Sequence, residues 1–459
     1  MSLRIATVGV GGPFRWAARA CGYDSPVRRR RQRRPRWLPG GPSRRAAGLA
    51  AVAAVGAGGI VALLRWRLWS SGVPDVDPAP LRDWFDPAEL TRNREYRRGV
   101  WTMAVIGAPL AAATAVGVAL LGPRWRPSLV RAARGRPWRA GLAFGAGLAL
   151  LTFTVALPLS IARYAWGRDF GIVTQGVPGW LLDVAKGLGI QIVVSAAIGA
   201  GVAVLIARAP RWWWAFLAAG VAALIYALSL LSPLVLEPIF QRTEPLRDPA
   251  LAAQVLELAD RAGVEADDVE VNDASARTTA ANAYVSGLGD SRHIVLYDTL
   301  LRDFPRDQVR MVVAHELAHV ERRHVLKGST WGAALAVPAC LLIFAVVGWR
   351  TGFGPAGRGA AGVDVVVRRL AVAAAAAAVV TALSAPLGTW VSRAYEREAE
   401  WRGLAISGDP EAAIGLQQGL VRRSLGVPDT PEGIQAWFGT HPTALERIAM
   451  ALRARSEDG

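Results

Sequence analysis

The chain has 459 residues, of which 52% are hydrophobic, and its mean hydropathy is +0.27. Long runs of Ala, Leu, Val and Gly argue against a set of water-soluble domains and indicate a core that lies within a membrane. The net charge of +17 comes almost wholly from arginine, since only Lys186 and Lys327 among the 53 basic residues are lysines. Because these arginines are spread over the whole chain, we expect a lipid bilayer and no nucleic acid as partner.

The two cysteines restrict the kinds of metal site that the chain can form. Cys21 lies in a polar tail and Cys340 in an apolar run, so no structural disulfide is expected. A zinc site built from four cysteines is excluded by their number. Any metal must therefore be held by histidine and carboxylate side chains.

Residues 1–45 are expected to form a disordered, arginine-rich tail. Pro26, Pro35 and Pro39 interrupt its basic block, and its apolar residues are too few for a packed core or a secretory signal. Contact between the arginines and lipid headgroups is a second interpretation of the same segment.

Seven stretches are long and apolar enough to cross a bilayer as helices, which takes about 20 residues. They lie near 46–65, 100–122, 139–162, 187–208, 212–236, 328–349 and 367–391. The predicted fold class is thus an α-helical integral membrane protein with seven transmembrane helices. Helices one to five fall within 46–236, helices six and seven within 328–391, and a C-terminal helical region follows at 392–459.

The one large polar insertion, residues 237–327, separates spans five and six. A helix is predicted over 248–262 and short strands at 269–271, 282–286 and 293–297, with a turn at 287–290 between the last two. This pattern predicts a small β-sheet with a hairpin.

A His-Glu-x-x-His motif occupies residues 315–319, inside an otherwise apolar run that favours a helix. Residues four apart lie on one face of a helix, so His315 and His319 can bind one metal ion, while Glu316 lies about 100° further round. This is the arrangement used by zinc hydrolases, in which zinc lowers the pKa of a water molecule and the glutamate takes the proton. The insertion is therefore predicted to be a zincin-like catalytic region, the alternative being two metal-free core histidines.

A site of this class needs a third protein ligand. After His324 the chain crosses the bilayer in span six and returns in span seven, to the side that it left. The first acidic cluster after this return contains Glu396, Glu398 and Glu400. Spacing does not choose among the three, and a solvated charged face is the alternative interpretation of the cluster.

Six motifs in the same order resemble those of the type 1 CAAX prenyl protease family, with the HtpX-like membrane proteases as more distant relatives. They are Leu236-Glu237-Pro238-Ile239-Phe240, Asn282-Ala283-Tyr284, the segment 294–300, the segment 315–319, Ser392-Arg393 followed by the segment 396–399, and Thr440-His441-Pro442. The resemblance covers about 230–455 closely, and seven spans fit the rest.

The resemblance implies a role for each matching residue. His315, His319 and Glu396 would bind one zinc ion per chain, and Glu316 would be the general base. Asn282 and His441 would stabilise the developing oxyanion, and Arg447 would be a structural arginine. Ala318 stands where the family usually has Gly, and Glu400 where it usually has Asp. Neither change removes a ligand.

The predicted function is hydrolysis of peptide bonds in or near the membrane by a zinc metalloendopeptidase, in the processing or quality control of membrane proteins. The substrate would be a peptide or a membrane protein. One alternative is a catalytically silent membrane scaffold of the same fold. Another is a protein that binds anionic lipid or nucleic acid through its basic tail.

The composition indicates a bacterial plasma membrane, but two arguments about orientation disagree. The arginines of the tail and of the loop 124–139 would be cytoplasmic by the positive-inside rule, which turns the insertion outward. The family resemblance implies instead a cytoplasmic catalytic region. We expect the second orientation.

Overall fold

The computed structural model describes residues 72–235, 237–287 and 292–458. The predicted tail at 1–45 and the predicted first span at 46–65 lie outside these residues, as does most of the turn at 287–290. The described helices are α1 (Leu81–Trp84), α2 (Leu90–Gly107), α3 (Leu110–Leu120), α4 (Gly122–Ala133), α5 (Pro137–Asp169), α6 (Val177–Arg208), α7 (Trp213–Val235), α8 (Glu237–Phe240), α9 (Pro249–Arg261), α10 (Asp298–Asp303), α11 (Arg306–Glu321), α12 (His324–Thr351), α13 (Gly359–Ser407), α14 (Pro410–Arg423), α15 (Glu432–Phe438) and α16 (Ala444–Asp458). The strands are β1 (Thr243–Pro245), β2 (Asp268–Asn272), β3 (Ala283–Ser286) and β4 (His293–Tyr297).

Within the described residues, six helical segments are long and apolar enough to cross a membrane. They are Leu90–Leu120, α5, α6, Trp213–Leu231 of α7, α12 and α13. They coincide with the predicted spans two to seven, which confirms a helical membrane protein. The number seven stays a prediction, because the first span lies outside the described residues.

Several of the spanning helices extend well beyond the apolar stretches that predicted them. Helix α6 begins at Val177, ten residues before the expected start, and α13 continues to Ser407, past the expected end at residue 391. Hydropathy marks only the part of a helix that suits lipid, whereas the ends are set by the backbone. Pro178 lies in the first turn of α6, and Gly408 ends α13 with a positive φ of 65°.

Glycines allow α5 and α6 to pack backbone to backbone. A Cβ atom on Gly145 would lie 2.0 Å from the carbonyl oxygen of Ser195, and one on Gly141 would lie 2.2 Å from that of Gly199. Small residues at such crossings let transmembrane helices approach closely, where no hydrophobic driving force acts between them. The contact of α5 with α6 therefore depends on the absence of these side chains.

The polar insertion folds into a four-stranded sheet in the order β1-β2-β4-β3. Strand β4 pairs parallel with β2 and antiparallel with β3, in a register that places Tyr284 opposite Val295. The predicted sheet and the pairing of the hairpin are therefore found as expected, and β1 is an addition. Ile294, Val295 and Leu296 of β4 are fully buried, as expected for a central strand covered on both faces.

The helix that carries His315 packs in the core of this insertion. Val309, Met311 and Leu317 of α11 join Leu251 and Leu258 of α9 in one buried apolar cluster. The side chain of Asp248 accepts hydrogen bonds from the first backbone N–H groups of α9, which explains where that predicted helix begins. The apolar face of α11 thus packs in the core, and its polar residues are available to form a site.

The two helices after α11 bring a distant segment back to it. Helix α12 leads away from the catalytic insertion, and α13 returns and packs along α11. Ala399 and Leu404 of α13 lie in the same buried cluster as Ala314 and Leu317 of α11. The acidic segment 396–400 therefore lies beside the His-Glu-x-x-His helix, on the side to which the chain was expected to return.

The first test concerns the α5–α6 crossing. Gly145→Val is expected to lower the free energy of unfolding by about 1–3 kcal/mol, because the added side chain overlaps the backbone of α6. The measurement is the melting temperature of the detergent-purified protein. Gly147→Val is the matched control, since a Cβ atom there meets nothing within 4 Å. Equal melting temperatures for the two variants would contradict the close crossing.

Candidate metal centre

Helix α11 presents both histidines of the motif to one point. His315 is buried and His319 is partly buried, and their Nε2 atoms lie 3.2 Å apart. Two imidazole nitrogens that face each other at this distance need a proton or a cation between them, since two lone pairs repel. The i, i+4 spacing on one helical face produces this arrangement, as the sequence predicted.

Glu396 on α13 completes a cluster of three possible ligands. Its Oε2 atom lies 3.2 Å from His315 Nε2, and its Oε1 atom lies 3.6 Å from His319 Nε2. One ligand atom from each of the three residues lies within 4.8 Å of the others. Two imidazoles and a carboxylate converging in this way match the donor set that zinc takes in catalytic sites.

The electrostatics of the cluster favour a bound cation. Burial opposes protonation of His315, but the hydrogen-bonding carboxylates of Glu396 and Glu400 outweigh it and raise the pKa of His315 to about 9. Without a metal, a proton therefore lies between His315 Nε2 and the carboxylate of Glu396. A divalent cation would satisfy the same three groups and displace that proton, so the residues fit a metal ion.

Glu400 and Arg447 support His315 from the other side. Glu400 is fully buried, and its Oε2 atom lies 3.2 Å from His315 Nδ1. Arg447 donates to the same oxygen, with N–O distances of 2.6 and 2.8 Å. A buried carboxylate needs such a partner, and a carboxylate behind a histidine ligand orients its ring. The longer side chain that replaces the usual aspartate thus still reaches the histidine.

Glu316 is partly buried on α11, next to His315 in the chain. Burial raises the pKa of its carboxyl group, while the nearby charges of His315 and His319 act in the opposite direction. A raised pKa moves a carboxylate toward the range in which it accepts and returns protons near neutral pH. The position therefore suits a general base.

His441 also reaches the cluster. Its Nε2 atom lies 3.1 Å from Glu396 Oε2, and its side chain is 54% exposed. Thr440 Oγ1 lies 2.9 Å from its other ring nitrogen and fixes the ring. His441 thus borders the metal position and faces outward from it at the same time.

Asn282 is placed near the site by the backbone rather than by a side-chain contact. It directly precedes β3, which packs on α11, and its carbonyl oxygen accepts a hydrogen bond from Tyr297 N–H at 3.0 Å. Its side chain is exposed. Among the described residues, no side-chain contact of Asn282 links it to the three ligands.

His324 is a residue beside the site to which no motif in the sequence assigned a role. It is only 5% exposed, and its Nδ1 atom lies 3.0 Å from His319 Nδ1. Its spacing of five from His319 does not fit one helical face, since α11 ends between them. An unusual local signal did exist, namely three of the five histidines within ten residues.

The fold and the site together define a membrane metalloprotease. Residues 245–455 match the family model of peptidase family M48, and residues 73–242 match that of the CAAX prenyl protease N-terminal region with five membrane helices. The chain thus combines an M48 peptidase region with a membrane region of the CAAX prenyl protease type. This confirms the family that the motifs indicated.

Several relatives share parts of the chain. A Bacillus subtilis protein named uncharacterized metalloprotease YhfN is 28% identical over 310 residues, which are 66% of this chain and 71% of that protein. CAAX prenyl protease 1 of Saccharomyces cerevisiae is 31% identical over 186 residues, 39% of this chain and 40% of the relative. An HtpX protease homologue of Ralstonia pickettii is 29% identical over 225 residues, 45% of this chain and 73% of the relative.

The fold itself resembles that of a solved membrane protein. The crystal structure of Ste24p from S. mikatae superimposes with a TM-score of 0.67 at 20% sequence identity. The match covers 88% of this chain and 97% of Ste24p. At this identity the likeness establishes a shared fold.

The close packing of α11 on α13 provides a test of the site. A Cβ atom on Gly403 would lie 3.0 Å from the Cα atom of His315. Gly403→Val is therefore expected to push α13 from α11, with a loss of about 1–3 kcal/mol in unfolding free energy and weaker zinc binding. Both are measured on the purified protein, by melting and by chelator competition.

Gly388→Val is the control on the same helix, because a Cβ atom at Gly388 meets nothing within 4 Å. It should bind zinc as the wild type does. Unchanged zinc affinity in Gly403→Val would contradict the view that this contact sets the ligand geometry.

Proposed function

We propose that this chain is a zinc-dependent endopeptidase that hydrolyses peptide bonds in or near the membrane. One zinc ion would be held by His315, His319 and Glu396, a gluzincin-type ligand set. The observation that supports this most directly is the convergence of the three side chains from two helices, with ligand-atom distances of 3.2 to 3.6 Å. Glu316 stands next to the first ligand on the same helix.

A zinc ion bound there would polarise the scissile carbonyl and lower the pKa of a water molecule. Glu316 accepts the proton from that water as it attacks, and returns the proton to the leaving amine. Its raised pKa suits both transfers, because a weaker acid holds the proton more readily between the two steps.

His441 and Asn282 are proposed to stabilise the negative charge that develops on the carbonyl oxygen. His441 lies beside Glu396 and is half exposed, so its ring can touch a ligand and a substrate together. Asn282 is exposed at the start of β3, which packs on α11. His441 of the C-terminal region and Asn282 of the sheet would thus lie on either side of the scissile bond.

A substrate peptide is proposed to bind in extended form along β3. This strand is the last in the sheet order, and Tyr297 N–H donates to Asn282 O across its inner side. In an antiparallel pair, successive residues of a strand point their backbone N–H and C=O groups alternately toward the partner strand and away from it. Asn282 faces β4, so the backbone groups of Ala283 and Val285 face away from β4. An added peptide strand would pair with them.

The proposed substrates are peptides and membrane proteins in processing or quality control, at a bacterial plasma membrane. The segment before β3 contacts the membrane region, since Thr174 N–H donates to Arg277 O at 3.1 Å and Arg277 pairs with Asp183 of α6 at 3.3 Å. A peptide along β3 would therefore lie close to the ends of α5 and α6. We retain the cytoplasmic orientation of the catalytic region as a proposal.

Substitutions at the motif test the chemistry directly. Glu316→Gln is expected to lower turnover of an unstructured reporter peptide by about 10²–10⁴-fold, because the proton acceptor is lost. Its zinc content should equal that of the wild type, since no ligand changes. His319→Ala should lose both the zinc and the turnover.

His293→Ala is the control for loss of a histidine, because His293 lies on β4 away from the ligand cluster. It should keep zinc and activity. A detergent-purified wild type that binds no zinc, or a Glu316→Gln variant that cleaves as fast as wild type, would overturn the proposed function.

The binding of substrate along β3 has its own test. Val285→Pro removes the backbone N–H that would donate to the bound peptide. Loss of this hydrogen bond costs about 1 kcal/mol, so kcat/KM is expected to fall about five-fold. Val285→Thr keeps the backbone donor and should cleave normally. Zinc content is measured in both variants. Equal kcat/KM in both at full zinc content would argue against the added strand.

A further inference from the structure

The junction between α11 and α12 has an uncommon backbone conformation beside the site. Arg323 adopts φ 55° and ψ 41°, in the left-handed region that non-glycine residues seldom occupy. This single residue ends the path of α11 and starts α12 in a new direction. As a result, His324 folds back toward His319 instead of continuing round the helix.

His324 is held on three sides. Its Nδ1 atom lies 3.0 Å from His319 Nδ1, and its Nε2 atom lies 3.2 Å from Glu398 Oε2. Its ring stacks on that of Tyr395, with centroids 4.7 Å apart and planes 21° apart. Glu398 in turn accepts a hydrogen bond from Arg322 Nε at 2.5 Å. The side chain is therefore both buried and oriented.

The positions of the ring protons of His319 and His324 follow from the ligand role of His319. A metal ligand must offer an unprotonated nitrogen, and Nε2 is the atom of His319 that faces His315 and Glu396. Its proton then lies on Nδ1 and is donated to His324 Nδ1. The proton of His324 consequently lies on Nε2 and is donated to Glu398.

We propose that His324 is a positioning residue that fixes the ring and the tautomer of His319 for the metal, with Glu398 and Arg322 fixing His324. This inference rests on the proposed zinc site. Groups behind histidine ligands typically change metal affinity by about 10–100-fold when they are removed. His315 has Glu400 in this place, so the two histidine ligands are supported by different chemistry, a carboxylate for one and a second imidazole for the other.

Two other roles for His324 are disfavoured by the same contacts. It is not placed as a fourth ligand, because its nearest nitrogen faces the far side of His319 rather than the ligand atoms. A role in packing alone would need only the ring that stacks on Tyr395. Phenylalanine preserves such a ring and removes both nitrogens, so substitution can separate packing from positioning.

The experiment measures the zinc dissociation constant of the full-length, detergent-purified protein by competition with a chelator. His324→Phe is expected to weaken zinc binding by about 10–100-fold. His324→Asn places a carbonyl oxygen near the position of Nδ1, and should recover most of the affinity. His324→Gln reaches toward Glu398 instead and should resemble His324→Phe. The melting temperature of each metal-free variant reports on packing.

The pattern of the three variants decides the inference. Weak binding in His324→Phe and His324→Gln, with recovery in His324→Asn and similar metal-free melting temperatures, supports it. Wild-type affinity in His324→Phe overturns it while leaving the proposed function intact. Equal losses of zinc affinity in all three variants also overturn it, because the oxygen in His324→Asn should accept the Nδ1 proton of His319 and restore the affinity. Absence of zinc from the wild type would instead mark failure of the proposed function.

Discussion

Everything in the candidate site depends on the packing of α11 against α13. Glu396 follows His315 by 81 positions in the sequence, and α12 and most of α13 lie between the two residues. Buried apolar residues on both helices, with Gly403 against the backbone of His315, set the distance between them. The ligand atoms must be positioned to within a few tenths of an ångström. The precision of this site therefore depends on the precision of the contact between α11 and α13.

The three glutamates at positions 396, 398 and 400 of α13 show how this contact is used. Glu396 faces the two histidines, Glu398 faces His324 and Arg322, and Glu400 faces His315 and Arg447. A buried carboxylate without a partner is strongly destabilising, so each needs its own cation or donor. Glu398 and Glu400 have theirs within the protein. Glu396 has only histidine partners, His315, His319 and His441, so the proposed metal ion would supply its counter-charge.

The membrane helices contribute to the site as well as holding the chain in the bilayer. The loop between α5 and α6 pairs with the segment before β3 through Val173 and Thr278, and Arg277 reaches Asp183 on α6. The sheet edge is thereby attached to the spanning helices. The catalytic insertion and the membrane region are therefore in direct contact at this point.

Sequence and tertiary structure determined different parts of this protein. Periodicity and hydropathy alone placed His315, Glu316 and His319 on one helix and predicted the spans, because those patterns reflect local geometry and the solvent that a segment meets. The small sheet and its hairpin followed from strand-length apolar runs for the same reason. The choice of Glu396 over Glu398 and Glu400 came from a family resemblance, and only the structure distinguishes the contacts of the three carboxylates. Residues two apart on a helix point in different directions, and which direction faces α11 depends on how the whole helix is rotated in its packing. His324 needed the structure for a related reason, since one left-handed residue at Arg323 turns it back onto His319. Local rules establish which residues share a helix face, whereas only tertiary packing decides which faces meet.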